Sequence, residues 1–449
     1  MPNKTPCYDC IIAGAGPAGI FAAIELLSVN PRLKVLIIEK GKDIGHRERR
    51  ELFSGWGGAG AYSDGKLTLS SEVGGFLNEY LPAGELKDLI AYTDGLYLKF
   101  GAASEIKGLD EASVAGLEKS AAMAGLRLIP FPIRHIGTDR CMELLKNLRA
   151  WLEGKADIIF NKEVAGVTVK DGAASGVKTE DGAEYQGGFV ILSPGRSGSK
   201  WLQGQAEKLS LDTSINPVDI GVRVEVPATV LRPVTDILHE AKLVFKSKRF
   251  DDPVRTFCMN PYGVVVKERH AGFCTVNGHS FSTRRSDNTN FAILVSTTFT
   301  EPFHEPVEYG EYIARLANLL GNGIIVQRLG DLQHGRRSTP ERIEKGDLKP
   351  TLNDATPGDL SFVLPYRYIT DIVEMLDALD RFAPGINSPS TLLYGVEVKF
   401  YSVRLKLTNA LETGIRNLFA VGDGAGVTRG IIQASASGVV AAREILRRV

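Results

Sequence analysis

Apolar positions along the chain fall into runs of three kinds. At 8–13 and at 34–38 they are short and continuous, YDCIIA and KVLII, as in strands buried on both faces. Between them, Ile20, Ala23, Ile24 and Leu27 share one face of a helix predicted over 17–29. Asn30-Pro31 stops it, because proline cannot continue a helix. Residues 158–195 read as strand, turn, strand, turn, strand, with Asp171-Gly172 and Asp181-Gly182 at the hairpins. The last apolar strand is predicted at 418–421. It is followed by a helix over 430–442, whose small residues suit close packing on a neighbour. The middle of the chain differs. Runs at 220–226, 254–260, 263–267, 272–276 and 291–297 read as antiparallel strands, with helices over 307–320 and 368–381. A further helix is predicted over 111–124, and no internal repeat is seen.

These patterns predict an α/β chain. A Rossmann-like domain, with a parallel sheet plus a β-meander, is assembled from 1–75, 136–210 and 390–449. Residues 211–390 form an inserted α+β substrate domain built on an antiparallel sheet, and 76–135 form a helical segment or lid.

The turn between the first strand and helix is Gly14-Ala15-Gly16-Pro17-Ala18-Gly19, a G-x-G-x-x-G. Gly14 allows the tight turn, Gly16 admits a pyrophosphate against the backbone, and Gly19 lets the helix approach the sheet. The helix start offers unpaired N–H groups and partial positive charge to phosphate. Glu39, at the end of the second strand with Lys40 beside it, is placed to accept the adenosine ribose hydroxyls and disfavours a 2′-phosphate. The unit as a whole predicts dinucleotide binding, by FAD or NAD. A second glycine-rich stretch, SGWGGAGAYSDGK at 54–66, asks for the same kind of explanation: bare backbone for a turn or for close approach.

Composition narrows the picture. The chain has 449 residues, 43% apolar and 24% charged, with 53 basic and 53 acidic side chains. Zero formal charge gives no general attraction to nucleic acid or to an anionic membrane. The apolar stretch 11–27 is broken by GAGPAG and holds Glu25, so no membrane span is expected. The first residues lack a secretory pattern, and five cysteines suit a reducing cytoplasm better than a disulfide framework. Cys7 and Cys10 form one C-x-x-C, but no second pair completes a zinc site, and no metal is expected.

The far end of the chain separates FAD from NAD. Residues 416–442, RNLFAVGDGAGVTRGIIQASASGVVAA, resemble the second FAD motif of glutathione-reductase-type flavoproteins. That resemblance implies that Gly422 and Asp423 hold the ribityl or pyrophosphate region. It also implies that the helix beginning at Gly430, Ile431 and Ile432 points its N-terminus at the flavin. The meander resembles that of the same flavoproteins, with Ser193-Pro194-Gly195 in place of an Ala-x-Gly turn. It implies a place for Pro194 and Gly195 at the cofactor, and for the backbone of Val164 at the adenine. GGAGAYSDGKL and GVEVKFYSVR resemble segments of a family of FAD-dependent dehydrogenases, also described as NAD(P)/FAD-dependent oxidoreductases, within these two-domain flavoproteins. By that resemblance, Gly57, Gly58, Ala59 and Gly60 run beside the ribityl chain and flavin, and the Ser63–Lys66 turn lies near the flavin edge. The chain departs from the family pattern at 400–404, FYSVR, where small polar residues are usual.

Candidates for chemistry are few. No C-x4-C marks a disulfide reductase, and no second G-x-G-x-x-G marks a nicotinamide domain, so NAD(P)H would bind only transiently. By the resemblance, Tyr401 and Arg404 approach the ring, Arg404 to orient an anionic substrate and Tyr401 to relay a proton or wall the pocket. Ser63 and Lys66 are weaker candidates. His334-Gly335-Arg336-Arg337-Ser338 reads either as an anion clamp or as a solvated turn. His135 and His279 show no partner at readable spacing. The first reading is a dehydrogenase that moves a hydride between a small organic substrate and flavin N5. An NAD(P)H-fed FAD monooxygenase or reductase is the second reading. A flavin-binding protein without redox turnover is the third.

Overall fold

The computed structural model describes residues 7–48, 53–214, 216–270, 272–281, 284–297, 299, 305–400 and 404–449. They form two units. The first comprises Met1–Glu105, Arg134–Asn216 and Tyr401–Val449, and the second Ile106–Ile133 and Pro217–Phe400.

The first unit is built on a seven-stranded sheet in the order Asp157–Ile159, Val35–Ile38, Cys7–Ala13, Glu184–Leu192, Ala173–Thr179, Val164–Lys170, with Leu418–Ala420 also on Glu184–Leu192. Cys7–Ala13 pairs in parallel with Val35–Ile38 and with Glu184–Leu192, placing Ala13 between Ile38 and Leu192. The meander Val164–Lys170, Ala173–Thr179, Glu184–Leu192 is antiparallel, and its last strand turns into the parallel sheet. All four residues of Val35–Ile38 are buried, as the unbroken apolar run predicts. The helix Pro17–Val29 packs along the C-terminal helix Ile431–Leu446. Small residues make this possible: a Cβ on Gly438 would stand 2.0 Å from the Ala18 carbonyl oxygen.

The second unit holds an eight-stranded sheet in the order Thr356–Pro357, Ile325–Arg328, Leu392–Lys399, Val218–Pro227, Asn288–Thr297, Pro253–Asn260, Lys242–Lys246, Arg127–Ile129. Its pairing is antiparallel except at Ile325–Arg328 with Thr356–Pro357. One face carries Val218, Ile220, Val222, Val224 and Val226, which pack with residues of the helices Pro306–Gly321 and Tyr366–Phe382. The hairpin Val264–His270, Phe273–His279 joins Tyr394 and Leu392 on the opposite face.

Two segments divide differently from the sequence reading. Residues 76–135 are split. The helix Ala83–Lys99 sits in the first unit, where Tyr97 Oη lies 2.9 Å from Ser435 Oγ and its ring stacks near Phe21. Arg127–Ile129 instead extends the second sheet by pairing with Lys242–Lys246. Leu392–Lys399 belongs to the second unit, because it hydrogen-bonds on both sides within that sheet.

Candidate functional site

The first glycine turn is held by its neighbours. Gly14 takes φ +112°, and a Cβ there would lie 2.3 Å from the Ser193 carbonyl oxygen. Ser193 Oγ donates to the Ala13 and Gly14 carbonyls at 3.0 and 2.8 Å. A Cβ on Gly19 would stand 2.1 Å from the Gly14 carbonyl, so this glycine is required for helix-to-strand approach. Gly16 is different, for a Cβ there would meet no protein atom within 4 Å. Open space therefore lies over the backbone at the start of the helix, where Pro17 stands at N1 and needs no partner for a missing N–H. Ala18 and Gly19 are buried in the first turn.

Glu39 organises both glycine-rich segments. Its Oε2 accepts from Ala15 N at 2.8 Å, and its Oε1 accepts from Gly41 N at 2.8 Å and Gly55 N at 2.7 Å. Gly57 N then donates to the Ala15 carbonyl at 2.7 Å. Three of roughly four lone-pair sites on the carboxylate are thus committed to backbone. Lys40 lies 3.9 Å from Glu163, and Lys162 N donates to the Glu39 carbonyl, bringing Val164 to this end of the sheet.

The second glycine segment owes its composition partly to protein packing. Gly57 takes φ +82°, and a Cβ would meet Leu145 at 2.4 Å. A Cβ on Gly58 (φ +51°) would stand 3.3 Å from Gly16 Cα, and one on Gly60 3.5 Å from Pro17 Cγ. Gly58, Ala59 and Gly60 open a 3₁₀ turn, Gly58–Tyr62, laid against the first turn. Trp56, fully buried, donates through Nε1 to the Leu145 carbonyl at 2.9 Å.

The far end closes the cradle. Gly195 takes φ +61° with open space around its Cβ direction, and a Cβ on Gly424 would strike the Gly195 carbonyl at 2.6 Å beside Pro194. Gly422 N donates to Ser437 Oγ at 3.0 Å. Asp423 accepts from Thr428 Oγ1 at 2.7 Å and pairs with Arg196 at 3.2 Å. Gly430 caps the C-terminal helix, with Ile431 partly exposed and Ile432 buried behind it. A Cβ on Gly430 would meet Gly74 Cα at 3.3 Å.

These residues fit a dinucleotide. The space over Gly16, the helix start behind it and the open Gly195 provide the room and the N–H donors that a pyrophosphate requires.

Among the residues expected to carry chemistry, Lys66 and Asp64 form a 3.0 Å ion pair with side chains 8% and 12% exposed. Ser63 Oγ donates to the Gly60 carbonyl at 3.0 Å and accepts from Gly65 N at 3.2 Å, which shapes the turn. His135 joins this cluster because Lys66–Thr68 pairs with Ile133–His135. Burial lowers its pKa, Asp64 and Asp139 pull it up, and Lys66 pushes it down. No local spacing signals this partnership. Arg404 is committed elsewhere: it reaches Glu79 at 2.8 Å and Tyr80 Oη at 3.1 Å, with its guanidinium over the Phe76 and Tyr80 rings. The guanidinium expected to orient an anionic substrate thus already has one carboxylate partner, Glu79, whose side chain is half exposed. Tyr401 lies outside the described residues. In the 334–338 loop, buried Asp331 gathers Arg336 at 2.8 Å, Ser338 at 2.8 Å and Arg342 at 3.1 Å. Among the described residues no cluster of three metal-ligating side chains occurs, and no helix is long and apolar enough to cross a membrane. Cys10 is buried, and burial pushes its thiol far above the usual range.

Comparison with known proteins adds the cofactor. Residues 217–400 match a family described as FAD-dependent protein, C-terminal domain-like. A protein of Clostridium beijerinckii (strain ATCC 51743 / NCIMB 8052), described only as uncharacterized, is 29% identical over 479 residues, spanning 98% of this chain and 80% of its own. Similar solved structures include glycine oxidase from Geobacillus kaustophilus, at 14% identity over 99% of this chain and 95% of that one, TM-score 0.42. L-proline dehydrogenase from P. horikoshii is similar at 12% identity over 99% and 94%, TM-score 0.45. The second unit thus matches the C-terminal domain of FAD-dependent proteins over 217–400, and the first unit carries a cradle that fits a dinucleotide.

Proposed function

We propose that the chain is an FAD-dependent dehydrogenase that moves a hydride between a small organic substrate and the flavin. Bound FAD supplies the two-electron chemistry. The observation that carries this reading is the open ground over Gly16, in a turn whose other glycines are packed against protein. In this reading the backbone of Ala15–Gly19 holds the pyrophosphate, and Glu39 keeps both glycine segments in register and offers its remaining lone pair to the ribose. Val164 borders the adenine. Pro194, Gly195, Gly422 and Asp423 border the ribityl side. The start of the helix at Gly430, Ile431 and Ile432 stabilises negative charge on the reduced ring. Gly57, Gly58, Ala59 and Gly60 lead from this cradle to Lys66.

Lys66 Nζ pairs with Asp64 at 3.0 Å, with little of either side chain exposed. Ser63 and the pairing of Lys66–Thr68 with Ile133–His135 hold the turn that carries this pair. An anaerobic absorbance titration of the purified protein with NADH and then NADPH tests the reading. A flavin band that persists, but bleaches on screening with organic metabolites, supports a dehydrogenase. Bleaching by a nicotinamide within seconds makes it a reductase or monooxygenase instead. A flavin that no donor reduces leaves a flavin-binding protein without turnover.

A further inference from the structure

The loop 334–338 lies in the second unit, between the short helices Leu329–Gln333 and Pro340–Glu344. Buried side chains fix its backbone. Gln327 donates through Nε2 to the Arg336 carbonyl at 2.9 Å and accepts from Leu360 N at 2.8 Å. Ser338 N donates to the Gly358 carbonyl at 3.0 Å, and Ser338 Oγ accepts from Arg328 N at 2.9 Å. Gly335 turns the chain at φ +63°.

The guanidiniums of this stretch are fixed as well. Asp331, 1% exposed, accepts Arg336 Nε at 2.8 Å and Arg342 Nη1 at 3.1 Å on one oxygen, Oδ1. Its Oδ2 accepts from Ser338 Oγ at 2.8 Å. Two guanidiniums thus converge on a single atom, and like charges do so only when something holds them there. Burial works against the Asp331 charge, but Ser338, Arg336, Arg342 and Arg328 hold its pKa below the usual carboxylate range. Arg342 Nη1 also reaches the Arg337 carbonyl at 3.3 Å, which ties the loop to the second helix.

Donors are left over at the surface. Arg336 gives Asp331 its Nε alone, and its side chain is 52% exposed. Arg342 uses Nη1 alone and is 38% exposed. Exposed Arg337 makes no side-chain hydrogen bond or ion pair among the described residues. Nearby carboxylates have other hydrogen-bond partners: Glu341 has Thr339, with Lys345 and Arg337 at longer range, and Asp359 has Ser361 and Gln327. A guanidinium fixed by one nitrogen loses little freedom when its remaining edge binds, and its planar fork matches phosphate oxygens.

We propose that Arg336, Arg337 and Arg342 form a binding site for the phosphate monoester group of a small molecule. The inference goes beyond the flavin reading and does not depend on it. The phosphate oxygens take the remaining nitrogens of Arg336 and Arg342, and Arg337 supplies the third guanidinium. Three guanidiniums suit a dianion with three oxygens better than a carboxylate with two.

Isothermal titration of the full-length, FAD-loaded protein tests this, with phenyl phosphate, benzoate and phenol as probes. The expected result is saturable binding of phenyl phosphate, benzoate at least about tenfold weaker, and no binding of phenol. Arg336→Gln and Arg337→Gln should each weaken phenyl phosphate by roughly 10- to 100-fold, the loss of hydrogen bonds between charged groups. Arg336→Lys should recover only part, because an ammonium keeps the charge but not the fork. Arg249→Gln removes an exposed cation from another turn and should bind as the parent does. Arg337 has no bonded side-chain partner to lose, so its variant should keep the parent's urea midpoint, and its weaker binding is then not a loss of fold. No saturable binding of phenyl phosphate, benzoate bound as tightly, Arg337→Gln binding as the parent does, or an equal loss in Arg249→Gln would overturn the proposal. The same variants decide the matter in apoprotein, so failure of the flavin reading leaves this test intact.

Discussion

Glu39→Ala separates two roles that the same carboxylate can play. As a ribose ligand alone, Glu39 would matter only when FAD is bound. The structure gives it work in the protein itself, accepting from Ala15, Gly41 and Gly55 at 2.7–2.8 Å while 5% exposed. A hydrogen bond to a charged group contributes about 1.5–3 kcal/mol, so three sum to roughly 4.5–9 kcal/mol before relaxation. Water entering the emptied volume would satisfy some of the N–H groups, so a local loss of about 3–5 kcal/mol is expected. Against a typical total of about 5–15 kcal/mol, that loss is large. Glu39→Gln should cost less, about 1–3 kcal/mol, because its carbonyl oxygen can keep the two bonds at one position while its amide group faces the remaining N–H. The assay is amide hydrogen exchange of the apoprotein, read at Ala15 and Gly55, together with its urea midpoint. Exchange should accelerate at both amides in Glu39→Ala before any FAD is added. If both amides and the midpoint match the parent and only FAD affinity falls, the carboxylate is a ribose ligand and not a staple.

Three further outcomes follow from the same contacts. Gly14→Ala should destabilise the first unit by more than about 1 kcal/mol even without cofactor, because φ is +112° and the new Cβ meets the Ser193 carbonyl; unchanged apoprotein melting would contradict this. Arg223→Met should destabilise the second unit by about 3–5 kcal/mol by leaving the Glu397 carboxylate buried with Lys399 as its remaining partner, checked by urea unfolding. Asp371, fully buried on the helix Tyr366–Phe382, has its carboxyl pushed up to about 6 by burial and by neighbouring Asp252. Its folded pKa is raised, so the folded state binds the extra proton, and stability from this group is lost as pH rises from about 4 through about 6. Asp371→Asn should flatten the stability profile across that window, and a slope equal to the parent's would refute the assignment.

Much of the dinucleotide unit was legible in the sequence because its signals are local. A strand, a glycine turn, a helix stopped at Asn30-Pro31 and a second strand ending in an acid occupy some thirty consecutive residues. The small residues of 430–442 announced close packing, although nothing in them named Ala18 as the surface they meet. Pairings over long distances were less visible. Leu392–Lys399 contains Glu397 and Lys399, whose charges satisfy one another and Arg223 inside the sheet, so the segment does not read as the fully buried strand it is. The partners of Arg404 have no local signal, because Glu79 and Tyr80 lie more than 300 residues earlier. His135 looked partnerless because the Asp64–Lys66 pair reaches it through a short strand pairing that has no sequence period. For Gly57, Gly58 and Gly60 the atoms nearest an added Cβ are those of Leu145, Gly16 and Pro17, which the glycine pattern alone does not name.

Whether FAD occupies the open ground over Gly16 is decided by comparing the parent with Gly16→Val. Apoprotein of each would be titrated with FAD and followed by flavin absorbance and fluorescence, with urea midpoints measured alongside. The side chain added at Gly16 first meets open space. One FAD per chain is therefore expected in the parent, with FAD affinity at least about tenfold weaker in the variant and apoprotein midpoints that agree. Equal FAD affinity in the two proteins would contradict it.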